Sequence, residues 1–218
     1  MRPHEINESQ DFIKAYYTER LDIIEDITLY YNEHTHMAEE GKTSHFIVNK
    51  DVKHSFDLPL LDPDVFNNYM QNIVTPCMDT YIKETRCLEN ICGIAHMESV
   101  NIQRYPPGGG YPAWHCERST ITLPNLLRAF FWITYLNDID DCGETEFMYQ
   151  KIKIKPERGL TLIAPAEWMF THRGNISNTQ YKTIVTSWFH FHTEDKTELD
   201  IIRKSAHAVM KRMQADEL

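Results

Sequence analysis

Two hydrophobic periods divide the chain. The helical period comes first: Phe12, Tyr16, Ile23, Ile27 and Tyr30 recur on one face of residues 9 to about 33, with Ser9 as N-cap, and predict an amphipathic helix. His34 and His36 follow as solvated side chains, and the polar residues 37–45 read as a loop. Residues 46–49, Phe-Ile-Val-Asn, predict a short strand, and residues 53–58 a turn. A second helix starts after Leu61, with Asp62 as cap, Pro63 at the first helical position, and Val65, Phe66, Tyr69 and Ile73 in helical register. Pro76 interrupts that pattern, so a kink belongs there before the helix resumes through Met78, Tyr81 and Ile82.

From Ser99 the period becomes two. Residues 99–105 alternate as a strand and run into Pro-Pro-Gly-Gly-Gly. Residues 127–136 form a dense β-branched and aromatic run of the kind found in a central strand, and 137–143 an acidic turn. Residues 147–154, 160–163 and 182–191 predict further strands, with Pro156–Gly159 turning between the first two. From Thr193 the helical period returns through Leu199, Ile202, Ala206, Val209 and Met213, which predicts a C-terminal helix. Short strands separated by turn signals predict a sandwich or jelly roll, mainly β with flanking α-helices.

Length and charge narrow the options. At 218 residues the chain is expected to be one domain: helical support and first strands over 1–98, a core over 99–191, and the helix over 193–218. A formal charge of −10 argues against a nucleic-acid backbone as the main partner. The five cysteines include no Cys-X-X-Cys pair, which disfavours a disulfide framework or structural zinc and points to a reducing cytoplasm. The N-terminus lacks the apolar core of a signal peptide, and no apolar run reaches membrane-spanning length, so a soluble, cytoplasmic protein with no membrane partner is expected.

Candidate chemistry centres on His115-Cys116-Glu117. On an extended strand the first and third of these residues project to the same side, about 6–7 Å apart at the backbone. His172 lies 57 positions further on, and Lys182 ten after that. Two histidines and one carboxylate form the facial triad of non-haem iron(II) oxygenases, which leaves one face of an octahedral metal open. The Gly108–Gly110 run has no helix signal after it and no following Gly-Lys-Ser/Thr, so it reads as a flexible loop beside the site rather than a phosphate cradle.

The order and spacing of Tyr105, His115-X-Glu117, Cys142-Gly-Glu-Thr145-Glu-Phe147, His172 and Lys182 resemble the iron(II)- and 2-oxoglutarate-dependent oxygenases, and most closely their prolyl 4-hydroxylase branch. Two positions depart from that pattern: Glu117 stands for the usual Asp, and Cys142 for a Gly. The resemblance implies a double-stranded β-helix, a jelly roll with the metal at its mouth. It implies that His115, Glu117 and His172 are catalytic metal ligands, and that 2-oxoglutarate and O2 take the open metal positions, with ascorbate supporting activity. It further implies that Lys182 pairs with the far carboxylate of 2-oxoglutarate, that Tyr105, Tyr135 and Thr186 add contacts to it, and that Trp188 walls the site. Arg118, Arg128, Arg173 and Gly174 are candidates for meeting substrate or shaping its access.

The expected activity is hydroxylation of a C–H bond, first of a prolyl residue in a protein or peptide, with 2-oxoglutarate converted to succinate and CO2. Alternatives are hydroxylation of a small molecule such as a free amino acid, which the His-X-Glu variant favours, and a jelly-roll binding or sensing module without catalysis. Halogenation is disfavoured because Glu117 is present, and a nucleic-acid demethylase because of the negative charge.

Overall fold

The densest apolar stretch of the sequence lies at the centre of the molecule. In the computed structural model, which describes residues 2–4, 12–43, 47–90, 93–96 and 98–191, that stretch is strand β8, Arg128–Tyr135, and every residue after Arg128 is buried. A strand buried on both faces needs a cover on each, and the two covers are chemically different. Phe130 and Trp132 face one hydrophobic cluster, while Phe131, Ile133 and Tyr135 face another. Strand β13, Lys182–Phe191, pairs antiparallel with β8 and sorts the same way, with Val185 and Phe189 in the first cluster and Ile184 in the second.

The first cluster is closed by helices. These are α1 (Leu21–Glu33), α2 (Pro63–Tyr69) and α3 (Thr75–Glu84), which bring Ile23, Ile24, Ile27, Tyr69, Cys77 and Tyr81 against the sheet. Asp62 caps α2 as its sequence predicts, accepting from the backbone N–H groups of Asp64 and Val65 at 2.9 and 3.0 Å. The expected break near Pro76 takes the form of a widened π-type turn over Met70–Val74, directly before α3. Proline has no N–H to continue the regular helical ladder, and the backbone adjusts in the preceding turn. A buried polar chain also ties helix to sheet: the Tyr69 hydroxyl meets that of Thr134 at 2.7 Å and accepts from the Trp132 indole at 3.1 Å.

The second cluster lies between two antiparallel sheets. The major sheet contains β1 (Arg2–His4), β2 (Lys14–Tyr17), β11 (Leu160–Pro165), β8, β13, β6 (Asn101–Tyr105), β4 (Phe56–Pro59) and β3 (Glu39–Glu40) in that spatial order, and β5 (Ile94–His96) also pairs with β13. The minor sheet has the order β10 (Ile152–Ile154), β9 (Thr145–Phe147), β12 (His172–Gly174) and β7 (Tyr111–His115). Its Phe147 and Ile154 close over Tyr105, Phe131, Ile133, Tyr135 and Ile184 of the major sheet. The architecture is the mainly β jelly roll with flanking helices that the strand pattern predicts.

Several local expectations need correction. The helix predicted over 9–33 begins only at Leu21, because residues 14–17 form β2 along the exposed edge of β11. Ile13 and Ala15 face the inner cluster while Tyr16 faces the helical one, a period of two that the apolar spacing of Tyr16 and Ile23 masks. An open edge strand needs a partner, and that tertiary demand overrides the helical pattern. Residues 147–154 are a hairpin rather than one strand, turning at Lys151 with φ 56°. Residues 56–59 are a strand where a turn is predicted, and β3 falls inside the predicted 37–45 loop. Val48 forms only an isolated bridge to Lys42, and Phe46, Ser9 and the predicted helix from Thr193 lie outside the described residues. Among the described residues, no helix is long and apolar enough to cross a membrane.

Candidate metal centre

Strand pairing explains how a ligand 57 positions away in sequence reaches the others. His172 opens β12 and is the direct cross-strand partner of His115, the last residue of β7, so the rings meet with centroids 4.4 Å apart. Glu117 does not continue β7, as the alternation argument requires. It lies in the bend that follows, where the Arg118 N–H donates to the Ala166 carbonyl and the Arg118 guanidinium to the Arg128 carbonyl. The carboxylate nevertheless returns to the histidines: Oε1 is 3.6 Å from His115 Nε2 and 3.4 Å from His172 Nε2. One donor atom from each of the three residues falls within 4.8 Å of the others, and no other such group of metal-binding side chains occurs among the described residues.

The histidines are oriented by their own backbones. His115 Nδ1 donates to the Ala113 carbonyl at 2.9 Å, and His172 Nδ1 to the Phe170 carbonyl at 3.0 Å. With the proton held at Nδ1, each Nε2 lone pair is free for a metal. Burial, reinforced by His172, pushes His115 down to about 4, so it stays neutral. Burial opposes charge on Glu117, but the His172 contact, the neighbouring His115 ring and the Arg128 guanidinium hold its carboxyl below the usual carboxylate range. Tyr111 stacks on His115 at 3.9 Å, and Phe131 on His172 at 4.4 Å. Two imidazoles and one carboxylate converging on one point are the donor set that a six-coordinate iron(II) takes while keeping open positions.

No family model and no curated protein matches the chain. Solved structures do match its fold. A prolyl-4-hydroxylase from Pseudomonas putida superposes with a TM-score of 0.62 at 13% identity, over 82% of this chain and 92% of that one. A viral collagen prolyl hydroxylase from Paramecium Bursaria Chlorella virus-1, solved with 2-oxoglutarate, gives 0.62 at 15% identity over 83% and 97%. A Trichoplax adhaerens prolyl hydroxylase, in complex with a peptide fragment of the hypoxia inducible factor oxygen degradation domain, gives 0.64 at 15% identity over 88% of each chain. The fold is that of the prolyl hydroxylases.

Within this prolyl-hydroxylase fold, the remaining predicted residues fall on the inner face of the major sheet. Lys182 pairs across the sheet with Tyr105, and its ammonium lies 5.6 Å from the Tyr105 ring centroid and 5.8 Å from that of Tyr135. It is buried, donates to the Gly143 carbonyl at 2.7 Å, and has no carboxylate within ion-pair distance among the described residues. Burial pushes its pKa down to about 8 against the weaker opposing pull of Glu144, which lies beyond ion-pair distance. The Gly143 carbonyl is presented by a turn whose Cys142 and Gly143 both have positive φ, 73° and 79°. The next residues of that turn act too: Thr145 bonds the Tyr135 hydroxyl at 2.7 Å, and Phe147 packs against His172. The Tyr105 hydroxyl donates to Gln103 at 2.6 Å.

Other predicted residues are placed differently from expectation. Thr186 shares the inner face, but its hydroxyl donates to the Trp132 carbonyl at 2.7 Å, which leaves only a lone pair for a ligand. Trp188 does more than wall the site, since its indole donates to Glu117 Oε2 at 2.7 Å. Arg118 is engaged by Glu167, Arg128 by Glu98, and Arg173 by Glu146, so each guanidinium already has a carboxylate. The glycine loop is seated rather than open: the His54 N–H donates to the Gly110 carbonyl, and a side chain at position 109 would run into the His54 carbonyl. The sequence reading missed Tyr111, Glu98 and the pairing of His190. Tyr111 was findable, because the alternation of β7 puts it on the ligand face. Glu98 carried no local signal.

Proposed function

We propose that this protein is an iron(II)- and 2-oxoglutarate-dependent dioxygenase. The observation that carries the reading is Lys182, a buried ammonium whose one hydrogen-bond acceptor among the described residues is the neutral Gly143 carbonyl, on the same strand face as the tryptophan that holds Glu117. A buried charge without a counter-ion is costly, and a dicarboxylate entering the barrel supplies one. His115, Glu117 and His172 are the residues that would hold iron(II), and two Nε2 atoms turned inward by their Nδ1 bonds, with one carboxylate, fit it. Bound iron would supply the redox chemistry that couples conversion of 2-oxoglutarate and O2 to succinate and CO2 with insertion of one oxygen atom into a substrate C–H bond.

The chain's own residues do the rest. Lys182 anchors the far carboxylate, Tyr105 and Tyr135 flank it, and Thr186 contributes at most an acceptor. Phe131, Phe147 and Tyr111 wall the histidines and limit water around them. The substrate proposed first is a prolyl residue in a protein or peptide, supported by the fold and by the spacing of His172 and Lys182. Glu117 in place of Asp favours a second reading, a small molecule such as a free amino acid.

The test combines iron(II), 2-oxoglutarate and ascorbate with a lysate from the protein's own source, and searches by mass spectrometry for one added oxygen. Oxygen on prolyl residues supports the first substrate, and oxygen only on a metabolite the second. Consumption of 2-oxoglutarate by the wild type and its loss in His172→Ala are expected. Equal consumption by both overturns the catalytic assignment, and consumption by neither leaves a binding module.

A further inference from the structure

The metal carboxylate terminates a buried chain of charges that reaches through three segments of the major-sheet side. Glu117 Oε1 faces the two histidines, whereas Oε2 accepts from the Trp188 indole at 2.7 Å and lies 3.6 Å from Arg128 Nη1. The Arg128 guanidinium also donates to the Glu117 carbonyl at 3.2 Å and lies over the Trp188 ring, 3.6 Å from its centroid. Behind it, Glu98 takes the guanidinium with both oxygens, at 2.7 Å from Nε and 2.6 Å from Nη2. Glu98 Oε1 also meets Nε2 of the fully buried His190 at 2.6 Å. Arg128 opens β8 and His190 sits near the end of β13 at a register shift, so the chain is braced by the two central strands.

Such a brace answers a problem that the Glu-for-Asp change creates. The extra methylene adds a rotatable bond, and a longer carboxylate free to turn can offer both oxygens to a metal. A two-oxygen grip takes one of the positions that a reactive centre must keep open. Here Oε2 is already occupied by an indole N–H and faces a guanidinium, which leaves Oε1 alone toward the histidines. Planar two-point pairing fixes an arginine in a way that one contact does not.

We propose that Glu98 is a positioning residue: by clamping Arg128, and through it Trp188, it restricts Glu117 to ligation through a single oxygen. The inference rests on the metal-centre reading above. Its test is therefore metal binding by the full chain, with cobalt(II) alone as the probe. Wild-type protein is expected to bind one cobalt(II) with a visible spectrum of a high-coordinate site. Glu98→Gln keeps the shape but weakens the clamp, and is expected to weaken cobalt(II) binding about 10–100-fold and to alter the visible spectrum. Trp188→Phe is expected to shift the spectrum in the same direction. The double variant should fall short of the product of the two effects, because both act on one carboxylate. Arg158→Gln, which breaks a surface pair with Glu25, should leave metal binding unchanged.

A Glu98→Gln protein that melts earlier but keeps wild-type cobalt(II) affinity and spectrum overturns the proposal and leaves an ordinary buried ion pair. Where that variant does not fold, Arg128→Lys carries the same reading, since lysine keeps the positive charge but cannot grip Glu98 with two bonds. Wild-type affinity and spectrum there overturn the proposal as well. Failure of the wild type to bind cobalt(II) at all would instead remove the metal centre itself.

Discussion

In the proposed function, Lys182 is the anchor for the far carboxylate of 2-oxoglutarate. Its ammonium is buried, and a dicarboxylate would be its ion-pair partner. Replacing it with Met keeps the bulk and removes the charge. Affinity for 2-oxoglutarate should then fall about 100-fold or more by calorimetry, with cobalt(II) binding intact. His96 gives a second prediction at this scale. Burial first, then the neighbouring His190, push it down to about 4 against the opposing pull of Glu98, and its ring contacts Ser187 and Trp132. Its folded pKa lies below the unfolded value of about 6.5, so the unfolded chain takes the proton first. The stability from this group is full above pH 6.5 and is lost as pH falls toward 4, by about 1.4 kcal/mol per pKa unit. Denaturant titrations at several pH values should show that slope, and His96→Gln should reduce it while leaving the share that His115 contributes over the same range.

Elements matter here through the faces they share. The parity of β8 and β13 sends one set of side chains to the helices and the other to the site, so a helix contact and a ligand contact sit on adjacent residues. Tyr69 is the clearest helix contact: its hydroxyl joins Thr134 and the Trp132 indole in a buried chain. Tyr69→Phe removes the acceptor of the Trp132 indole, while Thr134 keeps Thr161 at 2.8 Å, and should cost about 1–3 kcal/mol in urea unfolding. Because Tyr69 lies across the sheet from the histidines, its loss should leave cobalt(II) affinity unchanged. The same parity explains why β2 escaped the sequence reading. Ile13, Ala15 and Tyr16 satisfy a strand period only when both clusters are known, and Tyr16 together with Ile23 imitates a helix.

At the scale of the whole molecule, the candidate metal centre joins parts of the chain that are far apart in sequence. Its histidines face each other across β7 and β12, while Glu117 is held from the major sheet through Trp188. A metal bound there links the two sheets, so it should stabilise the folded chain. At a free cobalt(II) concentration of 100 times Kd the gain is about 2.7 kcal/mol, read as a rise in melting temperature. His172→Ala should abolish that rise. An unchanged wild-type melting temperature at saturating cobalt(II) would contradict a site formed only in the folded state.

The sequence by itself determined the elements whose pattern is local: the Asp62-Pro63 helix start, and β6, β8 and β13 nearly to their ends; it also singled out His115, Glu117 and His172, which the fold brings together. Burial periods and capping chemistry are written in neighbouring residues, and so can be read without the fold. What the tertiary structure alone decided is everything that depends on a distant partner. The β11 edge turned residues 14–17 into a strand, Glu98 and Glu167 engaged arginines that the sequence offered to a substrate, and a bend rather than a strand delivered Glu117. The physical reason is the same in each case. An open strand edge, a buried cation or a buried carboxylate must find its complement somewhere in space, and nothing near it in the chain says where.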